Sequence, residues 1–209
     1  MTVATTDTVA AELVRGRGGG GPASTRTVVA YGFWIFIISD ITMFSALFAA
    51  YAVLSSRTAG GPTPSEVINL RHVFIETMCL LLSSYACGLM TLAVASRRHA
   101  ATYLGALATF VLGAAFLGLE LREFASMIAQ GATPQRSAFL SAFFALVGCH
   151  GLHVTAGLIW LTVMMAQVAV KGFRATVQRR LWCFALFWHA LDIIWVGLFT
   201  LVYLMGVSP

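Results

Sequence analysis

Residues 141–161 read SAFFALVGCHGLHVTAGLIWL, and residues 186–206 read LFWHALDIIWVGLFTLVYLMG. Each is a long apolar run with ionisable groups at its centre: His150 and His153 in the first, His189 and Asp192 in the second. A soluble domain does not write helices this way. A run of about 20 apolar residues is what crosses ~30 Å of hydrocarbon. Ionisable groups at mid-membrane are costly, so two such runs in one chain ask for a reason.

The whole chain agrees. Of its 209 residues 59% are hydrophobic and 10% charged, and the mean hydropathy is +0.85. Soluble domains carry about 25% charged residues. The expectation is an all-α integral membrane bundle of five transmembrane helices, at 28–54, 71–95, 100–121, 138–170 and 181–205. The fourth is longer than a bilayer needs and must tilt or project. Residues 1–27, with RGRGGGGP at 15–22, form a polar tail with too little apolar content to fold alone. The run that follows is too long for a cleavable signal.

A formal net charge of +5 does not point to nucleic acid here, because the basic residues cluster between apolar runs. With the N-terminus inside, the inner segments hold Arg15, Arg17, Arg26, Arg97, Arg98, Lys171, Arg174, Arg179 and Arg180. The outer ends hold Arg57, Arg71, Arg122 and Arg136. Nine against four of the 13 basic residues favours a cytoplasmic N-terminus and a periplasmic C-terminus. Cys79, Cys87, Cys149 and Cys183 all sit in apolar runs without a CxxC pair, and read as packing residues rather than a disulfide or zinc framework. Small residues recur every four positions at Gly105, Thr109 and Gly113, and at Ser83, Cys87 and Thr91, with Ser84 and Gly88 beside them. That spacing lets helix backbones approach closely in lipid.

The polar residues within the spans are the candidate sites. Asp40, in FWIFIISDITMFSALF, lies near mid-membrane with no cation within one turn of it. Its cost must be met by another helix, lipid, water or a bound proton. Glu76 is nearer the outer surface, where it can reach water by snorkelling. Glu120, Arg122 and Glu123 read as a solvated network ending the third helix. His150 and His153 are spaced i, i+3 and share a helix face, as do His189 and Asp192. Trp188, Trp195 and Trp160 flank them, and Trp34 and Trp182 fit interfacial anchors. These residues alone leave three readings open: a metal or haem site, a hydrogen-bonded seam joining the last two helices, or a proton or ion path.

The motifs FFALVGCHGLHVTAGLIWL and LFWHALDIIWVGLFTLVYLMG carry a resemblance, supported by SDITMFSALFAAYAVL, ETMCLLLSSYACG, GLELREF and SAFFAL. From Tyr31 to Gly206 the chain resembles subunit III of the haem–copper terminal oxidases, in particular the five-helix form in bo-type ubiquinol oxidases. The resemblance implies a non-catalytic, cofactor-free chain in the bacterial cytoplasmic membrane. It would be bound to the large subunit I, which holds haems and copper, together with subunits II and IV. The complex oxidises quinol, reduces dioxygen to water and pumps protons. The subunit would stabilise the large subunit, bind phospholipid and support proton uptake.

Residue by residue, Asp40 stands where the cytochrome c oxidases carry a carbodiimide-reactive glutamate. His150 and His153 match an HGxH motif, and Trp188, His189, Asp192 and Trp195 match WHxxDxxW. The family uses none of these as metal ligands. Lys171 and Arg174 are candidates for lipid headgroup contacts, beside their plain positive-inside role. Two N-terminal helices of the seven-helix relatives are missing, and aspartate replaces glutamate at position 40; both favour the quinol branch. The alternatives are subunit III of a cytochrome c oxidase or nitric oxide reductase complex and, more remotely, an independent transporter or proton channel.

Overall fold

A computed structural model describes residues 25–60 and 70–204. The described residues form five helices, α1 Thr25–Leu54, α2 Leu70–Ala95, α3 His99–Ala129, α4 Ala138–Lys171 and α5 Ala175–Leu198, the last continuing into a π-helical turn, Phe199–Leu204. No strand occurs among them. All five helices are long and apolar enough to cross a membrane. The expected tail as far as residue 24 with Arg15 and Arg17, the glycine–proline punctuation at 61–64, and Met205 lie outside the described residues, as does the side chain of Arg26.

Three helix limits differ from the hydropathy reading. α3 continues to Ala129, past the charged GLELREF stretch that was expected to end it at Leu121. α5 begins at Ala175, before Arg179 and Arg180. α4 takes in Lys171 and stops at Gly172, whose φ of +62 suits a residue without Cβ. At its other end Ser137 caps α4, its hydroxyl accepting from the Leu140 amide at 3.2 Å.

Two compact units divide within α1. The first ends at Ile35 and the second runs from Phe36. In the described part of the first, Val28, Tyr31, Trp34 and Ile35 are exposed. In the second, α2 packs most extensively on α3, α5 lies against both α2 and α4, and α3 lies against α4. α1 joins through Phe44, set 5.3 Å from the His153 ring, and through Tyr51, set 6.1 Å from Phe139. The core is aromatic: Phe44, Phe116, Phe139, Phe143, Phe184, Trp188, Trp195 and Tyr203 are all below 2% exposed. Leu82, Leu92, Leu104, Leu107, Leu152, Ile159 and Ile193 point outward, as lipid-facing positions of spanning helices do.

Many threonine hydroxyls inside the spans are satisfied locally. Thr42, Thr102, Thr155, Thr162 and Thr200 each donate to the carbonyl four residues back. At Gly105 the small-residue stripe of α3 acts as its spacing suggests. A Cβ on Gly105 would fall 2.9 Å from Met90 Cβ and 3.0 Å from Met90 Cα, so α2 and α3 touch backbone to backbone there. Gly105→Ala is expected to force them apart and cost about 1–3 kcal/mol, the usual range for overpacking. Gly88→Ala is the control, since a Cβ there meets nothing within 4 Å. Unfolding of the two variants in mixed micelles checks the difference.

Candidate functional site

Two tryptophans of α5 bind the bundle together from inside. The Trp188 indole N–H donates to Ser83 Oγ on α2 at 3.1 Å, and the Ser83 hydroxyl donates onward to the Thr109 carbonyl of α3 at 3.0 Å. The Trp195 N–H donates to Thr77 Oγ1 on α2 at 3.1 Å, while that hydroxyl donates to the Val73 carbonyl at 2.8 Å. Indole suits this work because one edge is a donor and the rest is apolar area. The two residues lie seven apart, two helical turns, so both meet the same face of α2.

The histidines divide among different neighbours. His150 is fully buried within an aromatic box, 5.1 Å from the Trp195 ring, 5.7 Å from Phe116 and 6.3 Å from Phe44. Neither of its ring nitrogens has a hydrogen-bond partner. His153, one turn on, is half-buried; its Nδ1–H donates to the Cys149 carbonyl at 2.8 Å and it lies within electrostatic range of the half-buried Asp40 of α1. His189 faces the other way, with Nδ1 2.7 Å from Ser84 Oγ on α2. Asp192 hydrogen-bonds the same serine, and both line an open groove of about 490 Å³ between α2 and α5 with Tyr85, Gly88 and Leu92. His150 meets α5 through the Trp195 ring, whereas His189 and Asp192 engage α2. Among the described residues no three His, Cys, Asp or Glu side chains converge as a metal-binding group.

The glutamates are placed differently from the sequence reading. Glu76 does not snorkel: it is 1% exposed and its Oε2 has no partner. Glu120 is not part of a solvated helix end: it is 2% exposed, with both carboxyl oxygens unpartnered. The physical reason is the continuation of α3 to Ala129, which keeps Glu120 and Glu123 on the helix face turned toward Glu76 while Arg122 stays exposed. The three carboxyls lie within electrostatic range of one another, and the buried, unpartnered Tyr203 phenol lies within range of all three. Each unpartnered buried polar atom costs about 1–3 kcal/mol. Sequence reasoning missed this group because its members come from three separate helices. The signal that could have found it was Glu120 and Glu123 at i, i+3, the same signal used for the histidines.

Lys171 and Arg174 sit exposed at the α4–α5 turn. Arg180 of α5 donates to Gln167 Oε1 of α4 at 3.0 Å across the same turn. The four cysteines are free thiols.

Comparison with known proteins fits this arrangement. Residues 14–207 match the family model described as cytochrome c oxidase subunit III. The chain is 49% identical over 178 residues to cytochrome bo(3) ubiquinol oxidase subunit 3 of Pseudomonas aeruginosa, an alignment covering 84% of each protein. Over 177 residues it is 50% identical to the Pseudomonas putida protein of the same name, covering 84% of this chain and 85% of that one. It is 40% identical over 177 residues to quinol oxidase subunit 3 of Bacillus subtilis, covering 85% and 87%. The model match runs over nearly the whole chain and the identities are high, so this chain belongs to the cytochrome c oxidase subunit III family.

Proposed function

We propose that the chain is the non-catalytic subunit III of a proton-pumping quinol oxidase in aerobic electron transport. One observation carries this reading: identity near 50% across 84% of the chain to subunits 3 of bo(3) ubiquinol oxidases. In this reading the haems and copper belong to the large subunit I, and the chain assembles with it and with subunits II and IV in the bacterial cytoplasmic membrane. The basic turns at Arg97–Arg98 and Lys171–Arg180 face the cytoplasm, so the N-terminus is cytoplasmic and the C-terminus periplasmic.

The chain's own residues then have mechanical work. Trp188, Trp195 and His189 fix α5 on α2, while Asp40, His150 and His153 set the contact of α1 with α4. Glu76 is an internal group of the bundle rather than a surface one. Lys171 and Arg174 offer exposed cations at headgroup depth, where each is worth about 1 kcal/mol against anionic lipid.

The test is purification through a tag on this chain. The expected complex contains a large haem-bearing subunit, carries phospholipid, and consumes dioxygen with quinol as donor. The family model's description favours one other reading, a cytochrome c oxidase. A co-purifying copper-binding second subunit and oxygen uptake with cytochrome c alone would replace the quinol reading. Haem bound stoichiometrically to this isolated chain would overturn both.

A further inference from the structure

Toward the end of the bundle formed by Leu70, Ala129 and Leu204 lies a polar interior that the accessory role does not use. Glu76 is six residues into α2, and Glu123 is six residues from the end of α3. At ~1.5 Å per residue each is about 9 Å from its helix end. Glu120 is one turn deeper. Tyr203 completes the group from the π-helical turn Phe199–Leu204, and is 0% exposed. π-helical turns are uncommon and concentrate at functional places, because the wider turn re-aims side chains.

Five polar atoms here are buried and unpartnered: Glu76 Oε2, both oxygens of Glu120, Glu123 Oε2 and the Tyr203 hydroxyl. Three carboxyls and a phenol in one low-dielectric region cannot all ionise, since like charges at close quarters repel and each loses its hydration. They also supply few donors among themselves. A ligand that satisfies them must bring both donors and acceptors and tolerate a change in proton count. A metal ion fits poorly, because the glutamates do not converge as a ligand set among the described residues. Water has the right chemistry, since one molecule both donates and accepts and makes about two to four hydrogen bonds when buried. We propose that Glu76, Glu120, Glu123 and Tyr203 form a proton-holding site inside the bundle, whose ligand is a small group of water molecules sharing an exchangeable proton with the three carboxyls.

The step is a simple transfer through water: one carboxyl O–H bond breaks as its proton passes to a water molecule, that water gives up a proton to a second carboxylate, and no electron moves. The surrounding elements frame it. α1 brings Tyr51, whose hydroxyl points at the Val202 carbonyl at 3.5 Å. α2 adds Cys79, which lies within electrostatic range of Glu76. Arg71 and Arg122, on the helices that carry the glutamates, are exposed.

The test uses the purified oxidase complex in lipid nanodiscs, read by infrared difference spectroscopy over a pH series in H2O and D2O. The expected result is a protonated-carboxyl band that shifts in D2O and loses intensity reversibly as pH rises. E120Q should remove part of that band. Y203F should shift its frequency while keeping its area, because the phenol contributes only a hydrogen bond. If E120Q yields no complex, E123Q takes its place alongside Y203F. A band indifferent to pH and D2O overturns the proposal, as does one unchanged in the assembled variants. A band set by sodium concentration at fixed pH also overturns it, in favour of a cation.

Discussion

Trp188→Ala is expected to destabilise the bundle by roughly 3 kcal/mol, the sum of a cavity and a lost hydrogen bond. The hydrophobic transfer term that dominates such changes in soluble proteins is largely absent, because lipid outside the helices is as apolar as the core within. What remains is packing. At about 24 cal/mol per Å³ of residual cavity, a void on the order of 100 Å³ costs about 2 kcal/mol. The hydrogen bond to Ser83 adds about 0.6 kcal/mol, the average for interhelical bonds in a membrane. Trp188→Phe separates the two parts. It keeps most of the ring volume and gives up the N–H, and Ser83 still donates to the Thr109 carbonyl. The expectation is a small loss for phenylalanine and a large one for alanine, read as denaturant midpoints in mixed micelles. Equal losses would mean that the hydrogen bond, not the ring, holds α5 in place.

The contrast between the two tryptophans and the glutamates shows what one sequence discloses. Five spans were legible because run length and polarity are local properties, written in consecutive residues. The limits of α3 and α5 were not. ELRE near 120–123 and RR at 179–180 look like helix ends on hydropathy, yet Glu, Arg and Leu are good helix formers, and the helix continues wherever its face has something to meet. His150, His189, Trp188 and Trp195 stood out as candidates because such residues are rare in a span. Their partners Ser83, Ser84 and Thr77 did not, since small hydroxyl residues are common in transmembrane helices and most bond their own carbonyls. The pairing of His189 with α2 depends on which way α5 is rotated, which the i, i+3 spacing leaves free. The carboxyl cluster needed two helices to be assembled, and a third element to bring Tyr203, before it existed.

Gly157→Ala carries the second large effect, and it tests the same tryptophan from the opposite direction. A Cβ on Gly157 of α4 would lie 2.8 Å from Trp188 Cζ3, 3.0 Å from Cε3 and 3.2 Å from Phe187 Cε1. A Cβ on Gly113 of α3 would lie 2.8 Å from Cζ2 and 2.9 Å from Cη2 of the same ring. The benzo edge of Trp188 thus rests on bare backbone from two helices, while its N–H is tied to Ser83 on a third. The ring cannot retreat without straining that bond, so Gly157→Ala is expected to cost about 1–3 kcal/mol by overpacking. The same substitution in a Trp188→Phe background should cost much less, because phenylalanine lacks the outer carbons that the new methyl would strike. The coupling between the two changes is therefore favourable, within the ~0.5–3 kcal/mol seen for residues in contact. Additive losses would show that α4 yields at Gly157 and that the close approach is not what sets its distance from α5. A favourable coupling would mean that one aromatic ring and two glycines fix how α3, α4 and α5 meet, and hence the surface this subunit presents to the rest of its complex.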